Sequence, residues 1–128
     1  MRKYFNKDEI IIRQGDRENR NLYLVIEGKL KVKRVSGNSL IDCGHLLAGD
    51  VFGEMSLILG VERGATIVAE EKTTLEQLNR EEFLAYIQDH PHLAWQVLKN
   101  LAIRTQKLDE IQGQIFQSKV ILSLLTGK

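Results

Sequence analysis

The stretch that decides the fold reads GDVFGEMSL at positions 49–57 and continues with RGAT at 63–66. It places a glycine turn, a carboxylate and a short apolar helix immediately before an arginine and two small residues. Backbone N–H groups at the start of a helix attract anions, and the guanidinium of Arg63 offers a bidentate fork to phosphate oxygens. The carboxylate of Glu54 can accept hydrogen bonds from a hydroxyl group. The 49–66 segment therefore predicts a site for one small ligand that carries both a sugar hydroxyl and a phosphate.

Length and composition describe an ordinary globular domain. The chain has 128 residues, 43% of them apolar and 27% charged, which is enough to bury one core. Lys and Arg number 18 against 17 Asp and Glu, and this balance argues against a dedicated nucleic-acid surface. No apolar run reaches the roughly 18 residues of a membrane span, and no signal-peptide pattern opens the chain. We expect a cytoplasmic protein without membrane contact.

Several kinds of chemistry are excluded by what the chain lacks. Cys43 is the only cysteine, so neither an intramolecular disulfide nor an iron–sulfur cluster is expected, and its place in the strand-like run 40–43 predicts a half-buried side chain. The histidines, at positions 45, 90 and 92, have no metal-ligand spacing. No catalytic Ser/His/Asp order, nucleophile elbow or nucleotide-loop lysine is present. We therefore expect no enzyme, no metal and no cofactor.

The residue pattern changes near position 79. Before it, short β-like runs alternate with turn signals, as in a small sandwich or barrel; these runs cover 10–12, 22–26, 30–35, 40–43, 65–69 and 73–78. After it, Asn79 and Glu82 have the spacing of a reciprocal helix cap, and Pro91 suits the first position of the next helix. We expect a β domain over 1–79 and a helical segment over 80–128.

The second helix of that segment is long and carries a heptad pattern. From Pro91 to about residue 117, roughly 26 residues would span about 39 Å, more than so small a domain covers. Heptad spacing places an apolar face on one side, formed by Leu101, Leu108, Ile111 and Ile115. The alternative is an amphipathic helix that packs on its own β domain, as the first turns around Trp95 are expected to do. We predict a homodimer through the distal half.

The 49–66 segment closely resembles the phosphate-binding cassette of cyclic nucleotide-binding domains, as found in catabolite-activator-type transcription regulators and kinase regulatory subunits. The resemblance extends to Gly15-Asp16 and to the stretches 22–32, 47–54 and 75–83, and so covers essentially the whole chain. It implies a mainly β fold with C-terminal helices: an eight-stranded β-roll, or jelly roll, followed by a long dimerisation helix. It also implies that cAMP or cGMP binds inside the roll.

The resemblance assigns roles to individual residues. Glu54 matches the acceptor for the ribose 2′-hydroxyl, and Arg63 matches the arginine that pairs with the cyclic phosphate. Gly53 and Ala65 match positions that offer backbone contacts, and Ser56 matches a small residue of the cassette helix. The full ligand-binding set that we predict is Gly53, Glu54, Met55, Ser56, Arg63, Gly64, Ala65 and Asp109.

Three features of the sequence differ from the family pattern. Glu62 stands where many members have proline, and its charge lies beside the expected anion partner unless it faces solvent. Gly64 stands where many members carry a hydroxyl or alanine side chain. Leu108 and Asp109 stand where helix residues with hydroxyl groups would contact the base. A carboxylate at Asp109 accepts from the adenine amino group and repels the guanine carbonyl, so we expect cAMP to be preferred over cGMP.

The ends of the chain bear on its biological role. Residues 116–125 resemble the hinge that follows the dimerisation helix, and no helix-turn-helix fits after them. We expect the effector-binding part of a transcription regulator without its DNA-binding domain and without nucleic-acid contact of its own; an excised domain and a naturally short module both stay open. The alternative function is the same β-roll sensing a different small effector, or acting as a dimerisation module without a ligand.

Overall fold

The computed structural model describes residues 1–107. In this range it contains eight strands, two helices and a further helical stretch, α3, over residues 91–107. The bounds are β1 Arg2–Phe5, β2 Ile10–Ile12, β3 Leu22–Glu27, β4 Lys29–Ser36, β5 Ser39–Leu47, β6 Val51–Phe52, α1 Glu54–Leu59, β7 Thr66–Ala69, β8 Thr73–Leu78 and α2 Arg80–Asp89.

The strands form two four-stranded antiparallel sheets. Their orders are β1-β8-β3-β6 and β2-β7-β4-β5, so strands that follow one another in the chain mostly lie in different sheets. This interleaved arrangement is that of a jelly roll. The predicted eight-stranded β-roll followed by helices is confirmed.

The core lies where the inward-facing residues of the strands meet. Alternation along a strand sends successive side chains to opposite faces, and Val25 of β3, Leu30 of β4 and Leu75 of β8 are almost without solvent exposure. The cluster consists of Ile12, Tyr23, Val25, Leu30, Phe52, Ile67, Ala69 and Leu75. Burial of these side chains, at about 25 cal/mol per Å² of apolar surface, stabilises the frame that carries the 49–66 segment.

Helix α2 begins with the predicted cap. The side chain of Asn79 accepts from the backbone N–H of Glu82 at 2.8 Å, and the Glu82 carboxylate accepts from the backbone N–H of Asn79 at 3.1 Å. This reciprocal pair satisfies two donors that a helix start leaves without intrahelical partners. The capping box is confirmed, and so is the start of the following helix at Pro91.

The β4–β5 hairpin, residues 29–47, corrects one expectation about the lone cysteine. Cys43 is exposed, whereas a half-buried side chain was predicted. The strand that carries it is longer than the run 40–43 and forms the edge of its sheet. An edge strand has a neighbour on one side only, and this one exposes most of its side chains, so the half-buried prediction was wrong.

By its internal contacts the chain divides into one compact unit, Met1–Pro91, and a second that begins at His92. The proposed boundary between 1–79 and 80–128 stays a prediction. Of the predicted dimer face, Leu101 lies in α3, whereas Leu108, Ile111 and Ile115 lie outside the described residues. Among residues 1–107 no helix is long and apolar enough to cross a membrane.

Candidate ligand-binding site

A glycine turn joins strand β6 to helix α1. Strand β6 pairs with β3 through Val51 and Phe52, and the chain then turns at Gly53, whose φ of 89° and ψ of 8° are left-handed. Helix α1 follows and ends at Gly60, again left-handed, whose backbone N–H bonds to the carbonyl of Ser56. The predicted sequence of glycine turn and short apolar helix is therefore present.

Gly53 occupies a position that no other residue fits. A Cβ added to it would lie 2.8 Å from Nη1 of Arg63 and 2.8 Å from the carbonyl oxygen of Asn21. Its positive φ is also one that residues with a Cβ rarely adopt. The missing side chain thus lets the guanidinium of Arg63 approach the backbone at the start of α1.

Helix α1 carries two buried polar side chains in its first turn. Glu54 is 2% exposed and Ser56 is 3% exposed, while Met55 between them is half-buried. A carboxylate in the first turn interacts favourably with the N-terminal end of a helix. The Ser56 hydroxyl donates to the carbonyl oxygen of Val61 at 2.9 Å, so this side chain closes the loop after α1.

Arg63 is buried to 4% exposure and holds several oxygens at once. Its Nη2 donates to the Asn21 carbonyl at 2.6 Å and to Oδ1 of Asn19 at 3.1 Å, and its Nη1 donates to the Gly53 carbonyl at 3.3 Å. Its buried Nε has no hydrogen-bond partner within residues 1–107. Because a buried donor without a partner is destabilising, this atom is a candidate point of contact for an acceptor on a ligand.

Burial lowers the pKa of the Arg63 guanidinium from its ordinary value. Electrostatic interactions with the acidic groups of Tyr23, Asp16 and Glu54 raise this pKa and so oppose the effect of burial. Arginine keeps its proton in proteins at neutral pH, so the site contains a fixed positive charge. Glu54, the other predicted ligand-binding charge, is among the groups that raise the pKa of Arg63.

The residues around Arg63 differ in their solvent exposure. Gly64 is exposed, and a Cβ added there would meet no heavy atom within 4 Å; Ala65 is half-buried. Glu62 is exposed and lies 3.5 Å from the Arg17 guanidinium. Its negative charge is therefore directed to solvent and compensated there, which resolves the concern that the sequence raised.

The structure brings most of the predicted set into one segment of backbone. Residues 53–56 surround the start of α1, and Arg63 returns to the carbonyl of Gly53 ten positions earlier. Gly64 and Ala65 continue from Arg63 toward β7. Asp109 lies outside the described residues, so its predicted contact with a base stays a prediction.

Sequence reasoning missed the contribution of the loop between β2 and β3. The backbone N–H of Arg63 donates to the Asp16 carbonyl at 2.9 Å, and the N–H of Gly15 donates to the Arg63 carbonyl at 2.8 Å. Asn19 and Asn21 of the same loop bind the guanidinium. The polar run from Asp16 to Asn21 indicates a loop, but nothing in it indicates contact with a residue more than 40 positions away.

Together, the fold and the site define a class of protein: a β-roll domain that carries a buried carboxylate and a buried guanidinium at a crowded glycine turn. The chain belongs to the cyclic nucleotide-binding domain family, whose model matches residues 2–90. The match includes all eight strands and α2. The resemblance predicted from the sequence is thereby confirmed.

Comparisons with individual proteins agree with this assignment. The Cyclic AMP receptor protein of Thermus thermophilus is 38% identical over 110 residues, which are 85% of this chain and 50% of that protein. Lysophospholipase nte1 of Aspergillus fumigatus is 36% identical over 106 residues, 82% of this chain and 7% of that protein. The crystal structure of the Thermus thermophilus Catabolite Activator Protein superposes with a TM-score of 0.77 at 35% identity, covering 90% of this chain and 54% of that one. The chain thus spans half or less of the two sequence relatives.

Proposed function

We propose that this chain is a cyclic nucleotide-binding sensor domain that prefers cAMP over cGMP and performs no catalysis. The observation that carries the proposal is the pair of buried charges, Glu54 and Arg63, at the Gly53 turn. Charges are expensive to bury, so a buried pair of opposite charges at one turn is unusual. A ligand with a hydroxyl group and an anionic phosphate matches this pair, because Glu54 can accept from the hydroxyl and Arg63 can donate to the phosphate.

Phosphate recognition falls to Arg63. Its guanidinium is charged, is held by three carbonyl-type oxygens and keeps the N–H of Nε available for an acceptor. In surroundings shielded from water, a charge-assisted hydrogen bond to phosphate is stronger than at the surface. The backbone N–H groups at the start of α1 supplement it, because the first N–H groups of a helix have no intrahelical partner.

Sugar recognition falls to Glu54. Its carboxylate is almost fully buried in the first turn of α1, where it can accept from a ribose hydroxyl. A carboxylate that served only to favour the helix start could do so from the surface, where its hydration would be retained. The burial of Glu54 next to Arg63 therefore supports the nucleotide over an effector that lacks a ribose phosphate.

The names of the relatives support the ligand class as well. A receptor for cyclic AMP is among the proteins similar to this chain over most of its length. Both charged residues of the predicted nucleotide site, Glu54 and Arg63, are present in this chain and lie within reach of each other. Transfer of the relative's ligand to this chain is thus consistent with its own side chains.

Titration calorimetry with cAMP and with cGMP tests the proposal. We expect heat from both nucleotides, with tighter binding of cAMP. If neither cyclic nucleotide gives heat at millimolar concentration, the proposal is wrong and the β-roll senses a different effector.

We further propose that the domain acts as a homodimer within a transcription regulator. The support is the heptad spacing of Leu101, Leu108, Ile111 and Ile115 in the sequence, which is typical of coiled-coil contacts. Sedimentation of the wild type and of Leu108→Glu tests this proposal. We expect the wild type to sediment as a dimer and the variant as a monomer. Two monomers would mean that this face does not associate.

To transmit ligand binding to a partner domain, the protein needs an element with two conformations. Both the nucleotide and the partner domain must bind one of these conformations more tightly than the other. The junction at His90-Pro91 is our candidate hinge, and Asp109 is our candidate contact to the base. Asp109→Ala should narrow the preference for cAMP over cGMP and leave phosphate binding intact. An unchanged preference would mean that the base is recognised elsewhere.

A further inference from the structure

The side chain of Asn19, in the loop between β2 and β3, makes three hydrogen bonds that are all satisfied by one orientation of its amide group. Oδ1 of Asn19 accepts from the backbone N–H of Asn21 at 3.0 Å and from Nη2 of Arg63 at 3.1 Å. Its Nδ2 donates to the hydroxyl of Tyr23 at 2.9 Å. If the amide were flipped, its NH₂ group would face two donors, so the three contacts fix the oxygen toward the guanidinium.

The tyrosine that holds Asn19 is itself fixed in the core. Tyr23 is 2% exposed, and its ring stacks on Phe52 with 5.1 Å between centroids. Its hydroxyl, which accepts from Asn19, donates to Oε1 of Gln77 at 2.9 Å. Tyr23 and Gln77 are direct partners across β3 and β8, so the chain of hydrogen bonds ends on the sheet itself.

The same tyrosine also touches the other side of the ligand site. Phe52, on which its ring stacks, is the residue immediately before Gly53. One side chain therefore supports both the turn at the start of α1 and the asparagine that binds Arg63. A long, flexible arginine loses about 2 kcal/mol of rotamer entropy when it is ordered, and a framework that orders it beforehand removes that loss from ligand binding.

We infer that Asn19 is a positioning residue, which holds the Arg63 guanidinium in the orientation that meets a phosphate and is locked in place by Tyr23 and Gln77. This inference rests on the proposed function. Asn19 acts on ligand binding through Arg63, without contacting the ligand itself. It belongs to a loop more than 40 positions before the arginine, and the chain's tertiary structure is what brings them together.

The test is a double-mutant cycle measured by titration with cAMP. Asn19→Ala should weaken binding about 5- to 30-fold, because a hydrogen bond to a charged group is lost. In an Arg63→Ala background the same change should alter binding by less than about twofold, since the group that it positions is absent. Asn38→Ala, at the exposed turn of the β4–β5 hairpin, is the matched control and should bind as the wild type does.

Tyr23→Phe is the second variant, and it keeps the ring and its stacking on Phe52. Loss of the hydroxyl should weaken cAMP binding about 2- to 5-fold, as expected for one neutral hydrogen bond that acts indirectly. If Asn19→Ala weakened cAMP binding equally in the wild-type and the Arg63→Ala backgrounds, Asn19 would have a purely structural role and the inference would be overturned. Wild-type affinity in both Asn19→Ala and Tyr23→Phe would overturn it too.

A spectroscopic measurement without nucleotide separates this inference from the proposed function. In the wild type we expect the Arg63 Nε–H to give a narrow NMR signal that exchanges slowly with water, and in Asn19→Ala a broadened or lost one. If the wild type binds no cyclic nucleotide but Asn19→Ala changes this signal, the proposed function fails and the positioning of Arg63 stands. An unchanged signal overturns the positioning role.

Discussion

The 49–66 segment and the β4–β5 hairpin both turn at glycines and both carry charges, but the charges differ in their exposure to solvent. In the segment, Glu54 and Arg63 are almost without solvent exposure. In the hairpin, Nζ of Lys29 lies 3.6 Å from a carboxylate oxygen of Glu70, with 44% of the lysine side chain exposed. Surface ion pairs contribute little to stability, and buried charges can reduce it. The fold therefore keeps Glu54 and Arg63 buried despite a free-energy penalty that the exposed pair of the hairpin does not incur.

The glycines of the two regions show the same difference. Gly44 in the hairpin has a φ of 94° and open space where a Cβ would be, whereas Gly53 has a φ of 89° and two neighbours at 2.8 Å. The two φ angles are nearly the same. At Gly44 the glycine is needed only for that conformation, and at Gly53 it is needed also because a guanidinium approaches.

The largest effect that we predict is on stability, and it comes from adding a methyl group at each of these glycines. Gly44→Ala should lower the free energy of unfolding by about 1–2 kcal/mol, from the left-handed conformation alone. Gly53→Ala should lower it by about 2–5 kcal/mol, because overpacking adds to the same penalty. Urea denaturation of both variants measures the difference. Equal losses would mean that Arg63 moves aside at little cost.

The next effect is on ligand binding and compares two arginines. Arg63→Ala should weaken cAMP binding by roughly 1.5–3 kcal/mol, the scale of a charge-assisted hydrogen bond. Arg34→Ala, at an exposed position of the hairpin, should leave it unchanged. Titration calorimetry gives both values. A comparable loss in the two variants would mean that general positive charge, rather than the buried fork of Arg63, attracts the nucleotide.

A gain of affinity is expected from a hydroxyl group at Gly64, where related domains often carry one. Because a Cβ added there would meet no heavy atom within 4 Å, Gly64→Ser should fold normally and tighten cAMP binding by about 0.5–1.5 kcal/mol, one added hydrogen bond. Gly64→Ala, which adds a side chain without a hydroxyl group, is the control for the added hydroxyl. Unchanged or weaker binding of Gly64→Ser would place this position away from the phosphate.

The smallest effect concerns acid pH and the hairpin alone. The backbone N–H of Gly44, at 2.9 Å, and nearby cationic side chains hold the pKa of Asp42 below its ordinary value of 3.8. The lowered pKa means that Asp42 stabilises the fold above pH 3.8, and that this contribution is lost as the pH falls through the value in the folded protein. A carboxyl NMR titration should show the lowered pKa, and Asp42→Asn should remove this part of the acid dependence of melting. Titration at or above 3.8 would contradict it.

Local residue patterns carried much of the correct prediction. The alternating apolar runs indicated the strands, Asn79 and Glu82 indicated the helix cap, and Gly53 followed by Glu54 indicated the turn into α1. Each of these depends on residues at most a few positions apart, whose conformational preferences are intrinsic to the chain. The half-buried prediction for Cys43 failed because it depended on strand order, which alternation within one strand does not reveal.

By itself, the sequence predicted most of the strands, the helix cap and a candidate set of residues for a phosphate and a hydroxyl, because these follow from spacing and side-chain chemistry. Only the tertiary structure decided that Arg63 is buried, that it is held by Asn19 and Asn21, and that Glu62 is directed to solvent near Arg17. These contacts join residues more than 40 positions apart. They arise because two interleaved sheets bring the β2–β3 loop beside the 49–66 segment, and no local preference encodes that meeting.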